Sequence, residues 1–400
     1  MAIRILSIHD SRDLADLFRL IRVDPYGTRI MVPKARFRCL RIDGIPSIAA
    51  TILKQEMLSV GADAAIPRDA LTGKIKTADC VLFGTLAQLS RLVDKLQRQP
   101  FGLAKLGAEI QETLDNFEKR SFILTARKYR LRLGPRPRIM GIMNITPDSF
   151  SNDGIAARSQ DTGFMTDLAE QMVKDGADII DIGGESTRPG SRPVSVKEEI
   201  RRVIPAVRAI AKTVRVPVSI DTYKPQVARA ALDNGASIVN DISGLRDPRM
   251  AKAASAAKAA VVIMHMQNTP RTMQDNPSYE CVAAEIIEYL RNRITKALDS
   301  GIRCDRIIVD PGIGFGKTVG HNLTILRDLS EFKVLGMPIL VGTSRKGFIG
   351  RITDAAVDQR VPGTIASCCA AVANGAHIVR VHDVRQVNQA LAITEAILND

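Results

Sequence analysis

A short apolar run that ends in polar residues recurs eight times along the second part of the chain, between Arg138 and Asp383. Each run has the length and composition of a buried strand, and helical sequence separates one run from the next. This order predicts a (β/α)8 TIM barrel, an α/β fold whose active site lies where the strands end. The runs are Ile139–Asn144, Asp178–Ser186, Val216–Thr222, Ala236–Ser243, Ala259–Gln267, Arg306–Phe315, Pro338–Lys346 and Ala376–Asp383.

The turns between the predicted helices and strands favour the same fold. Three predicted helices end in Gly followed by Ala and then a strand, at Gly176, Gly235 and Gly375. Glycine adopts the left-handed conformation after a helix at low steric cost, so such a turn is short. The chain also lacks a GxGxxG loop, which argues against an open dinucleotide-binding sheet. We therefore predict that the barrel covers residues 138–400.

Residues 1–118 have the pattern of a separate, smaller α/β domain. The strand-like stretches are Ile3–Ile8, Arg29–Val32, Arg36–Ile42 and Ala78–Phe83. Helical periodicity covers a stretch through Leu14, Leu17 and Leu20, then Pro46–Val60, Leu86–Leu96 and 103–114. We find no metal-ligand spacing, nucleophile motif or phosphate loop in this part, so its sequence does not indicate a function.

Positive charge is concentrated in front of the predicted barrel. The net charge is +13, and residues 119–138 contain eight Lys or Arg and no acidic residue. We interpret residues 119–137 as a basic linker between the two domains. Nucleic-acid binding is a weaker interpretation, because aromatic residues are only 4% of the chain and Trp is absent, which leaves few stacking surfaces.

The chain has no sequence feature that directs it to a membrane. It contains no uncharged apolar run of about 18 residues, and its first residues lack the apolar core of a signal peptide. The six cysteines show neither a disulfide framework nor the paired spacing of a zinc site. We expect a cytoplasmic protein with no membrane partner.

Three of the predicted strands end in residues that suit a flat, nitrogen-rich ring. Asp221, Asn240 and Asp310 follow the third, fourth and sixth runs. A carboxylate accepts two hydrogen bonds from a guanidine-like edge, and an amide matches an edge of mixed donors and acceptors. Any one carboxylate could instead cap the following helix, and Asp241 fits that alternative better than Asp221 or Asp310.

Cations follow the last two runs. Lys346 ends the seventh, and Arg380 and His382 alternate along the eighth, so both lie on one face of the strand. Phosphate groups commonly bind at this place in a TIM barrel. Asn144, at the end of the first run, lies beside them once the barrel closes. The pattern predicts a diphosphate site.

Two long polar connections, residues 143–154 and 183–191, follow the first and second runs. Loops rich in Gly, Ser and Pro at this end of a barrel often cover the substrate. Arg188, between Thr187 and Pro189, has a guanidinium that could hold an anion or stack on a flat ring. Either loop alone could be a plain surface turn, but their shared position on one barrel face favours a role in binding.

Five motifs together resemble the dihydropteroate synthase family, from about Arg138 to the C-terminus and in the family's order. They are Met-Asn-Ile-Thr-Pro-Asp-Ser-Phe-Ser, Gly-Gly-Glu-Ser-Thr-Arg-Pro-Gly, Asp-Pro-Gly-Ile-Gly-Phe-Gly-Lys, Thr-Ser-Arg-Lys and Arg-Val-His-Asp. The resemblance implies the condensation of 6-hydroxymethyl-7,8-dihydropterin diphosphate with 4-aminobenzoate to give 7,8-dihydropteroate and diphosphate. It also implies folate biosynthesis, a Mg²⁺ cofactor, a homodimer and inhibition by sulfonamides.

The resemblance also assigns roles to residues. Asn144 resembles the Mg²⁺ ligand, and Arg380 with His382 resembles the diphosphate anchor that assists departure of the leaving group. The pterin-side residues are Asp221, Asn240, Met264, Asp310 and Lys346. The residues that border the aminobenzoate pocket are Thr187, Arg188, Pro189, Phe315 and Lys346. Gly347 departs from the family, where many members have Ser, so the contacts to the aminobenzoate carboxylate are open.

Two other functions compete with this interpretation. A methyltetrahydrofolate-dependent methyltransferase would use the same Asp and Asn pattern for the pterin, but it needs no diphosphate anchor, so Arg380 and His382 argue against it. A nucleic-acid or protein-binding module would use residues 1–138, but it would not explain the polar strand ends. A larger aminobenzoate derivative remains an alternative substrate.

Overall fold

The computed structural model describes residues 2–6, 8, 10–134, 136–145, 161–186 and 193–399. The chain divides into two units, Met1–Asp115 and Asn116–Asp400. The division falls three residues before the boundary that we expected from the sequence. Among the described residues, no helix has the length and apolar character needed to cross a bilayer.

The first unit is a small antiparallel sheet packed against helices. Its elements are α1 (Ser11–Leu20), α2 (Pro25–Ala35), β1 (Phe37–Pro46), α3 (Ser47–Ser59), β2 (Asp63–Ala65), α4 (Arg68–Leu71), β3 (Thr77–Thr85), α5 (Leu86–Leu96) and α6 (Leu103–Glu118). β3 is the central strand, between β1 and β2. Leu53 and Met57 of α3 pack with Leu82 of β3 and Leu89 of α5 in a fully buried core.

Two strand predictions in this unit were wrong. Arg29–Val32 lies in the helix α2, because the Asp24 side chain caps the backbone N–H groups of Tyr26 and Gly27 and Pro25 occupies the first turn. These start signals outweigh the strand preference of a few β-branched residues. Ile3–Ile8 forms no strand over its described residues, and the side chains of Ile3, Ile5 and Leu6 are exposed rather than buried.

The second unit contains a hairpin followed by the barrel. Its strands are β4 (Phe122–Ala126), β5 (Tyr129–Leu133), β6 (Arg138–Asn144), β7 (Ile179–Gly183), β8 (Val218–Asp221), β9 (Ile238–Asp241), β10 (Ala260–Met264), β11 (Ile307–Asp310), β12 (Leu340–Val341) and β13 (Ile378–Val381). Its further helices are α7 (Thr162–Lys174), α8 (Val196–Thr213), α9 (Pro225–Asp233), α10 (Pro248–Ala256), α11 (Val282–Asp299), α12 (Val319–Arg327), α13 (Gly347–Thr353), α14 (Val361–Ala373) and α15 (Val384–Asn399). Short 3-10 helices lie at Cys304–Arg306, Leu329–Leu335 and Val357–Gln359.

The eight strands β6 to β13 form one parallel sheet in the order β11-β10-β9-β8-β7-β6-β13-β12. A parallel bridge between Val309 and Ile339 joins the two edge strands, so the sheet closes on itself. The prediction of a (β/α)8 barrel behind a smaller α/β region is therefore confirmed. All eight predicted runs contain a barrel strand, although the strands are shorter than the runs.

Residues 119–137 are not an extended linker, which corrects the expectation from their charge. β4 and β5 pair as an antiparallel hairpin, with Phe122 opposite Leu133 and Ala126 opposite Tyr129. The buried side chains of Leu124 and Leu133 pack against the first inward-facing residues of the barrel strands. Alternation explains both observations, because Arg130 and Arg132 of β5 lie on the opposite face of the hairpin from Leu133. The hairpin closes the N-terminal end of the barrel.

Candidate active site

A cavity of about 740 Å³ lies at the C-terminal ends of the barrel strands. Nine of the predicted site residues line it, which are Asn144, Asp221, Asn240, Met264, Asp310, Phe315, Lys346, Arg380 and His382. Thr187, Arg188 and Pro189 lie outside the described residues. The structure thus brings every described candidate into one pocket, as expected for the catalytic end of this fold.

A buried guanidinium lies at the centre of the pocket floor. Arg380 of β13 donates from Nε to Asp181 at 2.6 Å and from a terminal nitrogen to Asp221 at 2.5 Å. Asn240 donates to the same Asp181 oxygen at 3.0 Å. Burial raises the pKa of Asp221 to about 7, although the positive charge of Arg380 acts in the opposite direction. Arg380 therefore lies against the carboxylates and orients them.

Asp181 is a member of this site that the sequence analysis missed. It lies in the middle of β7 rather than at its end, and it is fully buried. Its Oδ1 has no hydrogen-bond partner among the described residues, which leaves one acceptor in the floor. Strand alternation was the available signal, because Asp181 and Gly183 share a face while Ile180 and Ile182 pack outward.

Asp310 is fixed by the glycine that follows it. Its Oδ1 accepts from the backbone N–H of Gly312 at 2.7 Å. Burial raises its pKa to about 6, while the Gly312 hydrogen bond and the charge of Lys346 favour the ionised form. At neutral pH the carboxylate is therefore mostly ionised and can accept hydrogen bonds from a ring.

Lys346 and Phe315 form a second wall of the pocket. The Lys346 ammonium lies 4.0 Å from the centroid of the Phe315 ring, a cation–π distance. Burial lowers the pKa of Lys346 to about 8, and the charge of Arg380 acts in the same direction. The neighbouring Arg345 instead pairs with Asp383 at 2.6 Å, so its role in the described site is structural.

His382 and Asn144 meet at the side of the cavity. Nε2 of His382 lies 3.3 Å from Nδ2 of Asn144, and Nδ1 lies 2.9 Å from Oγ of Ser344. The Ser344 hydroxyl also accepts from the backbone N–H of His382 at 3.2 Å. Ser344 therefore fixes the orientation of the His382 ring, so that Nε2 points toward Asn144 at the side of the cavity.

Asp241 has a structural role, but it does not cap the following helix as its sequence position suggested, because Asp247 is the N-cap residue of α10. Its side chain accepts from the backbone N–H groups of Ser243 at 2.8 Å and Leu245 at 2.9 Å. These hydrogen bonds hold the connection between β9 and α10, and Asp241 does not line the cavity.

A buried ion cluster supports the wall next to Asp221. The ammonium of Lys224 donates to the carboxylate of Glu185, to Glu199 at 2.6 Å and to the carbonyl oxygen of Val194 at 2.6 Å. Glu185 also accepts from the Tyr223 hydroxyl at 3.1 Å. Its contacts show that it fastens the connection after β7 to the one after β8.

The strands form a closed parallel barrel, and carboxylate, amide and cationic side chains lie at their C-terminal ends. This arrangement is typical of a TIM-barrel enzyme that binds a nitrogen-rich heterocycle. The family model described as "Pterin binding enzyme" matches residues 140–382. The chain belongs to this family. Within it, the chain is an enzyme of the dihydropteroate synthase class, a transferase.

Relatives and solved structures support this assignment. Dihydropteroate synthase of Escherichia coli (strain K12) is 44% identical over 263 residues, which cover 66% of this chain and 92% of that protein. The dihydropteroate synthase of Yersinia pestis, solved with a sulfonamide drug, has 40% identity and a TM-score of 0.66 and covers 70% of this chain and 100% of its own. The Thermus thermophilus enzyme in complex with 4-aminobenzoate has 42% identity and a TM-score of 0.61, with 70% and 100% coverage.

Some of the relatives also match the first unit. The probable bifunctional folylpolyglutamate synthase/dihydropteroate synthase of Halobacterium salinarum is 38% identical over 391 residues. The match covers 98% of this chain but 46% of that longer protein. The small α/β unit therefore has a counterpart within this longer protein.

Proposed function

We propose that the chain condenses 6-hydroxymethyl-7,8-dihydropterin diphosphate with 4-aminobenzoate, releasing diphosphate and 7,8-dihydropteroate. The observation that carries the proposal is the convergence of Asp221, Asn240 and Asp310 on one floor, with His382 and Asn144 on the adjoining wall. The floor suits a ring with amino and N–H donors. The wall suits an anionic leaving group. The ligands named for two solved structures of the Thermus thermophilus enzyme, 4-aminobenzoate and 6HMPPP, support the proposed pair of substrates.

The protein can assist the reaction by favouring diphosphate departure. The bond between the exocyclic methylene carbon and the diphosphate oxygen breaks, and negative charge grows on the leaving oxygens. The arylamine nitrogen then forms the new C–N bond and releases one proton. His382 would donate from Nε2 to the leaving oxygens, while its Nδ1 remains held by Ser344. A donor aimed at developing charge stabilises the transition state more than the ground state.

We propose that Mg²⁺ binds at this site together with the diphosphate of the substrate. The described residues contain no group of three or more His, Cys, Asp or Glu that could hold a metal. Mg²⁺ is often held by one or two protein ligands together with substrate phosphates and water. The amide oxygen of Asn144 would be the protein ligand here, and the ion would supply positive charge to the leaving group.

The arylamine would bind at the wall made by Phe315 and Lys346. Their cation–π pair provides an apolar ring face beside an ammonium, which suits an aromatic carboxylate. The contribution of Thr187, Arg188 and Pro189 stays a prediction, because these residues lie outside the described part of the chain. We also propose a cytoplasmic homodimer on the basis of the family resemblance, and sedimentation analysis of the purified protein tests its assembly.

A single assay tests the proposed function. Purified protein is incubated with both substrates and Mg²⁺, and dihydropteroate and diphosphate are quantified. Equal amounts of the two products are expected. Diphosphate release without dihydropteroate, in the presence of excess 4-aminobenzoate, would mean that the arylamine is a different compound.

Replacing His382 with Ala should weaken diphosphate binding selectively. The lost donor acts on a charged group, so we expect about 1.5–3 kcal/mol of binding free energy to be lost for the pterin diphosphate. Binding of the diphosphate-free pterin should stay within twofold of the wild type. Calorimetry with both ligands measures the difference. Ser344→Ala, which removes only the support of the ring, should give a smaller loss, and equal weakening of both ligands would refute the assignment.

We propose that residues 1–118 form an interaction or regulatory module rather than part of the catalytic site. Two observations support this role. The barrel contributes every described residue of the cavity, and the first unit has its own buried core. The bifunctional relative, in which the matching region is joined to a folylpolyglutamate synthase, suggests a function in organising folate enzymes.

Truncated fragments test whether residues 1–118 are separate from the catalytic site. The β4–β5 hairpin packs against the barrel, so a fragment should begin before it. A fragment of residues 116–400 keeps β4 and β5, and we expect it to retain synthase activity. A fragment of residues 134–400 lacks the buried Leu124 and Leu133, and each lost leucine should cost about 2–5 kcal/mol of stability. A start near Arg130 would delete β4. Activity and thermal denaturation of both fragments provide the measurement; a folded but inactive 116–400 fragment would contradict the proposal.

A further inference from the structure

A buried lysine borders the pocket without a role in the proposed reaction. Lys317 follows the glycine-rich turn after β11, is 3% exposed and lines the cavity. Lysine is almost never fully buried unless it is paired. Its partners should therefore show what it does.

The ammonium of Lys317 joins two elements of the barrel. Its Nζ lies 3.0 Å from Nδ1 of His265, which follows β10, and donates to the carbonyl oxygen of Phe315 at 3.0 Å. An ammonium has donors only, so Nδ1 must accept and the His265 ring is neutral. Burial and the charge of Lys317 lower the pKa of His265 to about 2, in agreement with this geometry. The ring also packs edge-on against Tyr289 at 4.9 Å.

The turn that Lys317 holds is made of residues 312–316, and its three glycines all have positive φ. Side chains from outside the turn fasten its peptides. Gln274 donates to the Gly314 carbonyl at 2.8 Å, Tyr279 donates to the Gly316 carbonyl at 2.9 Å, and Asn322 accepts from the Gly314 N–H at 2.7 Å. Lys317 adds the hydrogen bond to the carbonyl of Phe315, whose ring contacts Lys346.

The charged groups around Lys317 also link it to Asp310. Asp310 is faced by Lys317, by Lys346 from the connection after β12 and by Arg380 from β13. Lys317 in turn is faced by Asp310, Lys346 and the neutral His265. Besides these groups, Arg246 from the connection after β9 and the phenol groups of Tyr279 and Tyr289 act on His265. Burial lowers the pKa of Lys317 to about 7, while the charge of Asp310 acts in the opposite direction. Below about pH 7, Lys317 therefore adds positive charge behind Asp310 while contacting the turn that presents Phe315.

We propose that Lys317, supported by His265, is a positioning residue of the pterin pocket: it holds the 312–316 turn in place and keeps Asp310 in its ionised, acceptor form. The inference rests on the proposed function, since the pterin is the ligand that Asp310 would accept. It extends the proposed function, because the family resemblance assigned no role to Lys317. Lys317 acts through Asp310 and Phe315 rather than on the reacting atoms.

The test compares pterin binding by wild type and Lys317→Met over pH 5.5 to 8.5, with calorimetry and 6-hydroxymethylpterin as the probe. We expect affinity at pH 7 to fall about tenfold, the effect of one lost charge-assisted contact. Binding needs ionised Asp310, so it weakens as pH falls through the pKa of that group. Removing a nearby positive charge raises the pKa of Asp310. The decrease in pterin affinity at acidic pH should therefore begin at a higher pH in Lys317→Met than in the wild type.

Arg138→Met is the matched control, because it removes an ion pair with Asp178 at the opposite end of the barrel. It should leave pterin affinity and its pH midpoint unchanged. His265→Asn keeps an acceptor near Nδ1 and should retain most of the affinity, whereas His265→Leu should not. The double variant Lys317→Met/His265→Leu should lose less than the sum of the single losses, as expected for groups that act together.

The outcomes separate the two proposals. A wild-type protein that binds no pterin would overturn the proposed function and this inference together. A wild type that binds and a folded Lys317→Met that binds equally, or weakens by the same factor at every pH, would overturn the positioning role alone. If Lys317→Met does not fold, the two His265 variants provide the test. Equal pterin affinity of His265→Asn and His265→Leu would then overturn the positioning role.

Discussion

Replacing Arg380 with Met should abolish pterin binding and lower the free energy of unfolding by about 3–5 kcal/mol, the loss typical for one partner of a buried ion pair. Arg380 donates to Asp181 at 2.6 Å and to Asp221 at 2.5 Å, so the variant leaves two buried carboxylates without their counter-ion. Burial alone would lower the pKa of Arg380, but the two carboxylates hold it above its ordinary value. Chemical denaturation measures the stability, and calorimetry measures the binding.

Two further variants make this result specific. In Arg138→Met, an arginine of equal side-chain exposure, 20%, loses its ion pair with Asp178 and a hydrogen bond to the Arg132 carbonyl oxygen, both outside the cavity. We expect a loss of about 1 kcal/mol and normal pterin binding. Adding Asp221→Asn to Arg380→Met should restore part of the stability, because one uncompensated charge disappears. An Arg380→Met protein as stable as Arg138→Met would show that Arg380 is not the counter-ion of the floor.

Gly312→Ala should reduce kcat/KM by about 100-fold, since misplacing a site by roughly 1 Å has effects of that size. The Gly312 backbone has φ of +72°, and a Cβ there would lie 1.9 Å from the carbonyl oxygen of His265. The conformation alone costs an alanine about 1–2 kcal/mol. The clash is with backbone, so the turn must move, and Asp310 loses the N–H that fixes it.

Gly347→Ser is the control for this glycine substitution. No described atom lies within 4 Å of the place where a Cβ on Gly347 would be, and its φ is ordinary. We expect unchanged stability and unchanged pterin binding. Steady-state kinetics and thermal denaturation of the two variants provide the comparison. Near-normal activity of Gly312→Ala would mean that the turn after β11 does not position the pterin site.

The barrel could be predicted because its signals are local and repeated. Each strand is a short apolar run, and Gly176, Gly235 and Gly375 mark where helices turn back to strands. A closed parallel sheet then brings all strand ends to one face, so the polar residues that follow the runs could be grouped without coordinates. For this reason Asp221, Asn240 and Asp310 were found together.

The residues that the sequence analysis missed depend on contacts between distant segments. Asp181 lies inside an apolar run, and its role became visible only when Arg380, far along the chain, was seen to pair with it. Lys317 looks like an ordinary solvated lysine until His265 is placed beside it. The 119–137 hairpin was hidden in the same way, because its basic residues dominated the composition while its two buried leucines decided its structure.

The two sides of the cavity differ in how freely they can vary during evolution. On the floor, Asp181, Asp221 and Asp310 are matched in charge by Lys317, Lys346 and Arg380, so a change in one residue disturbs several others. At the rim, Gly347 is exposed, and no described atom would crowd a side chain there. Single substitutions that alter the choice of arylamine, or that admit the substrate while rejecting a look-alike inhibitor, should therefore accumulate at the rim. The pterin specificity of the floor should be inherited almost unchanged.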